Sequence, residues 1–481
     1  MAAENAERRP AEGWVLASLA LCMLLPSLGT SIAIVALPTL AQALAAPIAQ
    51  VQWVVLAYLL ATTTLIVGAG RLGDITGRRR LLLAGIVLFT AASILCAIAP
   101  TLGLLLAARA VQGLGAAVMM ALTMAFVGEA VPKARIGRAM GLLGTMSAAG
   151  TALGPALGGV LIAGFGWQAI FVVNVPLGVL ALVLAQRYLP ADHQTAKAEP
   201  TRFDHVGTLL LALTLAAYAL AMTMGRGTFG LVNVALLGVA AFGAALFVRA
   251  ETRAVSPLLH MAMFRQRALS ASLAMSALVS TVVMATLVVG PFYLARALGL
   301  DTALVGVVMA VGPVIAALTG LPSGRLVDRL GAQRMTVGGL AGMVLGCAAL
   351  SAAPAMPGIA GFVLPMAVIT ASYALFQAAN NTAVMIDVGA DQRGVIAGML
   401  NLSRNLGLIT GASVMGAVFA VAARAHDLAA TNPEAVATGM RVTFAVAAAL
   451  VVVALAIALG SQAVARRNLR SDTWAGGGSR P

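Results

Sequence analysis

Long apolar runs, separated by short clusters of arginine, glycine and proline, dominate the chain from residue 14 to residue 462. The runs are continuous and rich in Leu, Ala and Gly. They lack the alternation of a membrane β-barrel strand and suit helices. About 20 apolar helical residues span a ~30 Å hydrocarbon core while satisfying their own backbone. Spans are therefore expected near 14–38, 51–70, 81–99, 102–127, 139–163 and 168–186, then at 206–225 and 231–248. Six more fall near 269–294, 303–322, 335–353, 358–386, 395–420 and 440–462. The first run follows Arg8 and Arg9 as a signal peptide would, but its 25 residues exceed the about 7–15 of an h-region, so it reads as a span. The expected fold class is an all-α polytopic membrane protein of 14 transmembrane helices.

Composition agrees with the pattern. Of 481 residues 61% are hydrophobic and 10% charged, against about a quarter charged in a soluble domain. The net charge of +14 lies in clusters between apolar runs, which marks topology rather than a nucleic-acid surface. With both termini cytoplasmic, 24 of the 30 Lys and Arg fall inside, four outside and two within spans. No cofactor or metal is expected: Cys22, Cys96 and Cys347 all sit in apolar runs, and no phosphate-binding loop is present. No span holds a nucleophile, base and metal-ligand cluster, so an enzyme is not expected either.

The chain repeats itself. Gly70-Arg71-Leu72-Gly73-Asp74-Ile75-Thr76-Gly77-Arg78-Arg79-Arg80 follows the second span, and Gly324-Arg325-Leu326-Val327-Asp328-Arg329-Leu330-Gly331-Ala332-Gln333-Arg334 follows the tenth; six of the 11 positions are identical. Gly141, Gly150, Gly154 and Gly159 likewise match Gly398, Gly407, Gly411 and Gly416. This predicts a cytoplasmic arm (1–13), an N-terminal six-helix half (14–188), a linker with two inserted helices (189–268), a C-terminal half (269–462) and a cytoplasmic tail (463–481). Parallel halves of this kind place a substrate site near the bilayer midplane and transport by rocking.

These residues resemble the major facilitator superfamily, in particular its fourteen-span drug:proton antiporter branch. The loop from Gly70 to Arg80 is similar to that between the superfamily's spans 2 and 3. Arg109-Ala110-Val111-Gln112-Gly113-Leu114-Gly115-Ala116 is similar to its span 4 signature. The run Gly150-Thr151-Ala152-Leu153-Gly154-Pro155-Ala156-Leu157-Gly158-Gly159 resembles the antiporter signature of span 5, and Phe203-Asp204-His205-Val206-Gly207 the start of the inserted pair. Span 1 departs from the pattern: Gly29 stands where the family often carries an Asp, and Ile34 where it carries an amide. No Asp or Glu lies in the interior of any expected span.

The resemblance implies a major facilitator fold and a multi-pass exporter of small amphipathic molecules in the cell membrane, monomeric and driven by protons through alternating access. Two alternatives stand beside it: a facilitator or exporter of a neutral or anionic solute without proton coupling, and a membrane receptor or scaffold that does not transport. Arg109, Gln112 and Arg404 are the candidates for coupling or substrate-charge recognition, because a charge inside a span needs a polar interior or partner. Gly70, Arg71, Asp74, Gly77 and Arg78, with Gly324, Arg325, Asp328, Gly331 and Arg334, form a candidate conformational latch. Asp74 is expected to face the start of span 13 near Gly394, where helix N–H groups are unpaired. Gly150, Gly154, Pro155, Gly158 and Gly159 predict a tightly packed, bendable helix. Asn174, Gln377, Asn380 and Asn381 are candidate cavity-lining residues.

Overall fold

The computed structural model describes residues 2–46, 48–51, 53–190, 204–223, 230–254, 261–300, 302–352, 358–386, 388–389, 392–423 and 432–475. Their long elements are all helices. They are α1 (Ala2–Val35), α2 (Trp53–Thr76), α3 (Arg78–Ala97), α4 (Leu102–Ala130), α5 (Ile136–Phe165) and α6 (Asn174–Tyr188), then α7 (His205–Thr223) and α8 (Leu231–Glu251). The remainder are α9 (Arg267–Phe292), α10 (Thr302–Leu330), α11 (Ala332–Ala352), α12 (Ala360–Met385), α13 (Arg393–Ala422) and α14 (Pro433–Ala475). Among the described residues 11 helices are long and apolar enough to cross a membrane, or 12 if the two parts of the bent α2 count as one span.

Proline accounts for the main departures from the expected boundaries. The first run reads as one span to residue 38, but α1 stops at Val35 and a short helix, Leu37–Ala43, follows with Pro38 in its first turn. Pro38 has no N–H to bond back to Ile34. The run 168–186 matches one candidate span, Ala169–Tyr188, interrupted only in its hydrogen bonding at Val173, whose backbone is still helical. Pro176 cannot donate to Val172, and a short helix, Ala169–Val172, is separated from α6 at Val173. In α9, Pro291 precedes a π-helical turn, Tyr293–Ala297.

Helices α1–α6 pack together, as do α9–α14, and the groups meet along two seams, α2 on α13 and α5 on α10. The helix ends bearing Arg71, Arg78–Arg80, Arg135, Arg138, Arg325 and Arg329 share one side of the molecule, hereafter the basic face. At two equivalent places the chain must turn sharply there. Gly77 (φ +103°) separates α2 from α3, and Gly331 (φ +88°) separates α10 from α11. Both conformations cost a side-chain-bearing residue energy, so the repeated glycine has a backbone reason.

Helix α7 lies against α2 and α13, spanning one seam, and the Tyr218 and Thr410 hydroxyls bond across that contact. Many large apolar side chains face outward on the helices, including Val160, Phe165, Leu318, Leu345 and Val421, each at least 69% exposed. So wide an apolar exterior fits lipid, not water.

Candidate functional site

The latch motifs occupy the basic face, and each crosses to the other group. Asp74, in the last turn of α2, accepts from Arg78 Nη2 at 2.8 Å and from Arg78 Nε at 3.0 Å through Oδ1. Its Oδ2 accepts the N–H of Val395, the third residue of α13, at 3.2 Å. Asp328, at the matching place on α10, accepts the N–H groups of Gly137 and Arg138 at 2.9 and 3.0 Å. These begin α5. The first N–H groups of a helix have no partner within it and carry its positive dipole end, so a carboxylate is well matched to them. Gly70 is buried, and Arg71 is part-buried on α2. Arg325 and Arg334 are exposed.

Glycine makes the α5–α10 seam close. A Cβ on Gly137 or Gly141 would run into the backbone of Gly324 or Gly320, and one on Gly324 into that of Gly137 and Arg138. Within its own group α5 also presses on α1. A Cβ on Gly150 would meet Leu24 and Leu28 backbone, and one on Gly154 would meet Ser31 and Ile32. Ser31 Oγ donates to the Gly150 carbonyl at 3.0 Å, and in the second group Thr281 Oγ1 donates to the Gly407 carbonyl at 3.1 Å. The expectation of close packing does not extend to Gly159, which is exposed with open space at its Cβ position. Gly158 is buried, and the side chain of Pro155 lies outside the described ones.

Arg109 is fully enclosed within the first group. Its Nε donates to the Val54 carbonyl at 2.9 Å and its Nη1 to Gln112 Oε1 at 2.6 Å, one turn along α4. Gln112 Nε2 in turn donates to Ser93 Oγ at 2.7 Å. The guanidinium lies 4.3 Å from the Tyr58 ring centre and 5.8 Å from that of Phe171. A carbonyl, an amide and two aromatic faces spread the charge, and cation–π contact strengthens once water is excluded. Arg109 thereby ties α2, α3 and α4 together.

Arg404 is placed differently, near the middle of α13 and facing the other group. Its Nη2 lies 3.4 Å from Ser147 Oγ on α5, and Ser147 is 2.8 Å from Ser27 Oγ on α1. Its buried Nε has no partner among the described residues. Asn401, one turn nearer the basic face, donates to the Met120 carbonyl at 3.4 Å and to Met124 Sδ at 3.0 Å.

The candidate cavity residues separate. Asn174 is fully buried and donates to the Ile170 carbonyl at 3.2 Å, within its own span. Asn380 lines a cavity of ≈ 240 Å³ inside the second group, with Gln266, Thr336 and Gln462. Gln377 is part-buried with its Oε1 unpartnered among the described residues, and Asn381 is part-buried. Sequence reasoning missed Ser27 and Ser147. Serine is common in spans, and only the position of Ser147 one turn before Gly150 hinted at a shared face.

Two packed groups of apolar helices, linked at one face by a repeated carboxylate motif, define a membrane transporter fold. The family profile described as Major Facilitator Superfamily matches residues 19–412, and the chain belongs to that superfamily. It is similar to the multidrug resistance protein Stp of Mycobacterium tuberculosis, with 32% identity over 80% of this chain and 72% of that one. The drug efflux pump JefA of the same organism is 32% identical over 84% of this chain and 80% of its own. The riboflavin transporter RibZ of Clostridioides difficile is 28% identical over 84% and 88%. Among solved structures, the human organic anion transporter MFSD10 superposes with a TM-score of 0.67 at 15% identity, over 93% of this chain and 99% of its own. At that identity the likeness concerns the fold alone. The protein is a multi-pass membrane transporter.

Proposed function

We propose that the protein exports small amphipathic molecules across the cytoplasmic membrane by alternating access, as a monomer driven by the proton motive force. The carrying observation is the doubled latch. Asp74 and Asp328 each bind the helix start of the opposite group, so the basic face is closed. If that face is cytoplasmic, as the arginine bias of the loops argues, this is the outward-facing state. In this reading both termini are cytoplasmic and the spans number fourteen. Helix α5, with 30 residues, and α7, with 19, join the twelve that qualify by length and hydropathy together. The two inserted helices then follow the fourteen-span drug:proton antiporter branch. Export is supported by the likeness to Stp, a multidrug resistance protein, and JefA, a drug efflux pump, and by the tight α5–α1 contact at Gly150 and Gly154.

A second reading is favoured by the lack of acids inside the spans: transport of a neutral or anionic solute without proton coupling. Efflux of an amphipathic dye from cells expressing the protein, with and without a protonophore, tests both. Export abolished by the protonophore supports the first reading. Undiminished flux supports the second, and no flux of any dye or metabolite overturns both.

A further inference from the structure

The two intramembrane arginines have unequal surroundings, and the difference points to a ligand. Arg109 is surrounded by a carbonyl, an amide oxygen and two rings inside one group of helices, and its Nη2 is without a partner among the described residues. Arg404 has five N–H donors, and its one described partner is a serine hydroxyl at 3.4 Å. Its Nε is buried without a partner among the described residues. No acidic residue lies in any span interior to neutralise it. A part-buried cation whose Nε is enclosed with so little compensation is costly, and an anion from outside the protein would relieve that cost.

We propose that Arg404, with the hydroxyls of Ser147 and Ser27, binds the anionic group of the transported molecule (a carboxylate, sulfonate or phosphate) midway through the membrane between the two groups of helices. Arg404 lies nine residues beyond Val395 along α13, about 13 Å below the basic face. That depth excludes a lipid headgroup and leaves the cargo or a free inorganic anion. The Ser27 and Ser147 hydroxyls, 2.8 Å apart, can rotate to donate to the same anion. Arg404 belongs to one group and the serines to the other, so a rocking motion makes or breaks the site. Only such a difference between states lets a ligand drive the change. The inference rests on the transport reading and names the class of its substrate: anionic amphiphiles.

The test uses the purified full-length protein, a carboxylate-bearing amphipathic dye and its methyl ester, with binding read by fluorescence anisotropy. The wild type should bind the acid ~10–100-fold more tightly than the ester, the range of a charge-assisted hydrogen bond. Arg404→Gln should remove that preference. Arg404→Lys should keep part of it, since a point charge lacks the planar fork. The double variant Ser27→Ala, Ser147→Ala provides a test that spares the arginine, and should weaken the acid several-fold without changing the ester. Equal binding of acid and ester by the wild type would overturn the site, as would a preference that survives Arg404→Gln or an unchanged double variant. Displacement of the acid by millimolar sulfate at fixed ionic strength would reassign it to small inorganic anions. Acid-selective binding without dye movement in proton-loaded vesicles would sink the exporter reading and leave the site standing.

Discussion

The two seams between the helix groups descend from one repeated motif and are built differently. At the α2–α13 seam the Asp74 side chain is 2% exposed and paired with Arg78, itself 10% exposed. At the α5–α10 seam Asp328 is exposed, and Ala332 stands where the repeat would place the arginine. That seam has Gly137, Gly141, Gly320 and Gly324 in close backbone approach. A buried charge is held by its partners, and losing one leaves it uncompensated. An exposed carboxylate at a helix start contributes little once water and salt screen it, so shape must hold the second seam. One duplicated motif thus places a largely buried ion pair at one seam and an exposed carboxylate beside closely packed glycines at the other.

Five substitutions sharpen or break that contrast. The largest effect is expected from Gly141→Leu, which drives a branched side chain into the Gly320 and Gly324 backbone. Closure of the basic face should fail and transport should be lost, with a cysteine reporter on that face labelled more than about tenfold faster, as overpacking of ~1–3 kcal/mol implies. Normal labelling would show that the glycine seam is incidental. Gly154→Leu should also abolish transport in a protein that still inserts. Because it acts between α5 and α1 inside one group, reporter labelling should stay close to wild type. A large change there would mean that the groups do not move as units.

Asp74→Asn comes next. It should shift the population toward opening at the basic face by about tenfold, the cost of weakening a largely buried pair, without changing substrate affinity. The same change at Asp328 should shift it less than about threefold, given the exposure of that carboxylate. Equal shifts would erase the proposed difference between the seams. The smallest effect belongs to Ala332→Arg, which restores the arginine of the repeat beside Asp328. Closure should gain at most ~1 kcal/mol, visible as slightly slower reporter labelling and lost in high salt. A salt-insensitive gain would mean that the new side chain acts by packing.

Much of this organisation was legible along the chain. Continuous apolar runs located helices because a bilayer demands them, and Pro38 explains the early end of α1 that run length alone smoothed over. The latch motif was visible because a turn at positive φ requires glycine and because the unit occurs twice. Asp74 was expected near the start of span 13, and its carboxylate lies on the Val395 N–H. The relative standing of the two arginines was not legible. Arg109 sits in the more specific motif, yet its surroundings are those of a structural tie, whereas Arg404 faces the seam. Gly137 and Gly320 likewise pass for ordinary small residues of a span until their partners are known.

By itself, then, the sequence determined the solvent of this protein, its helices, its internal repeat and the places where backbone geometry forces a glycine. Those features depend on neighbours within a turn or two, on spacing, or on lipid. Tertiary structure alone decided which serines meet Arg404, which glycines meet across α5 and α10, and which of two like carboxylates is buried. The partners there lie up to 321 residues apart, as in the bond from Val395 to Asp74. No local period or propensity encodes a contact made only when two helix groups close on each other.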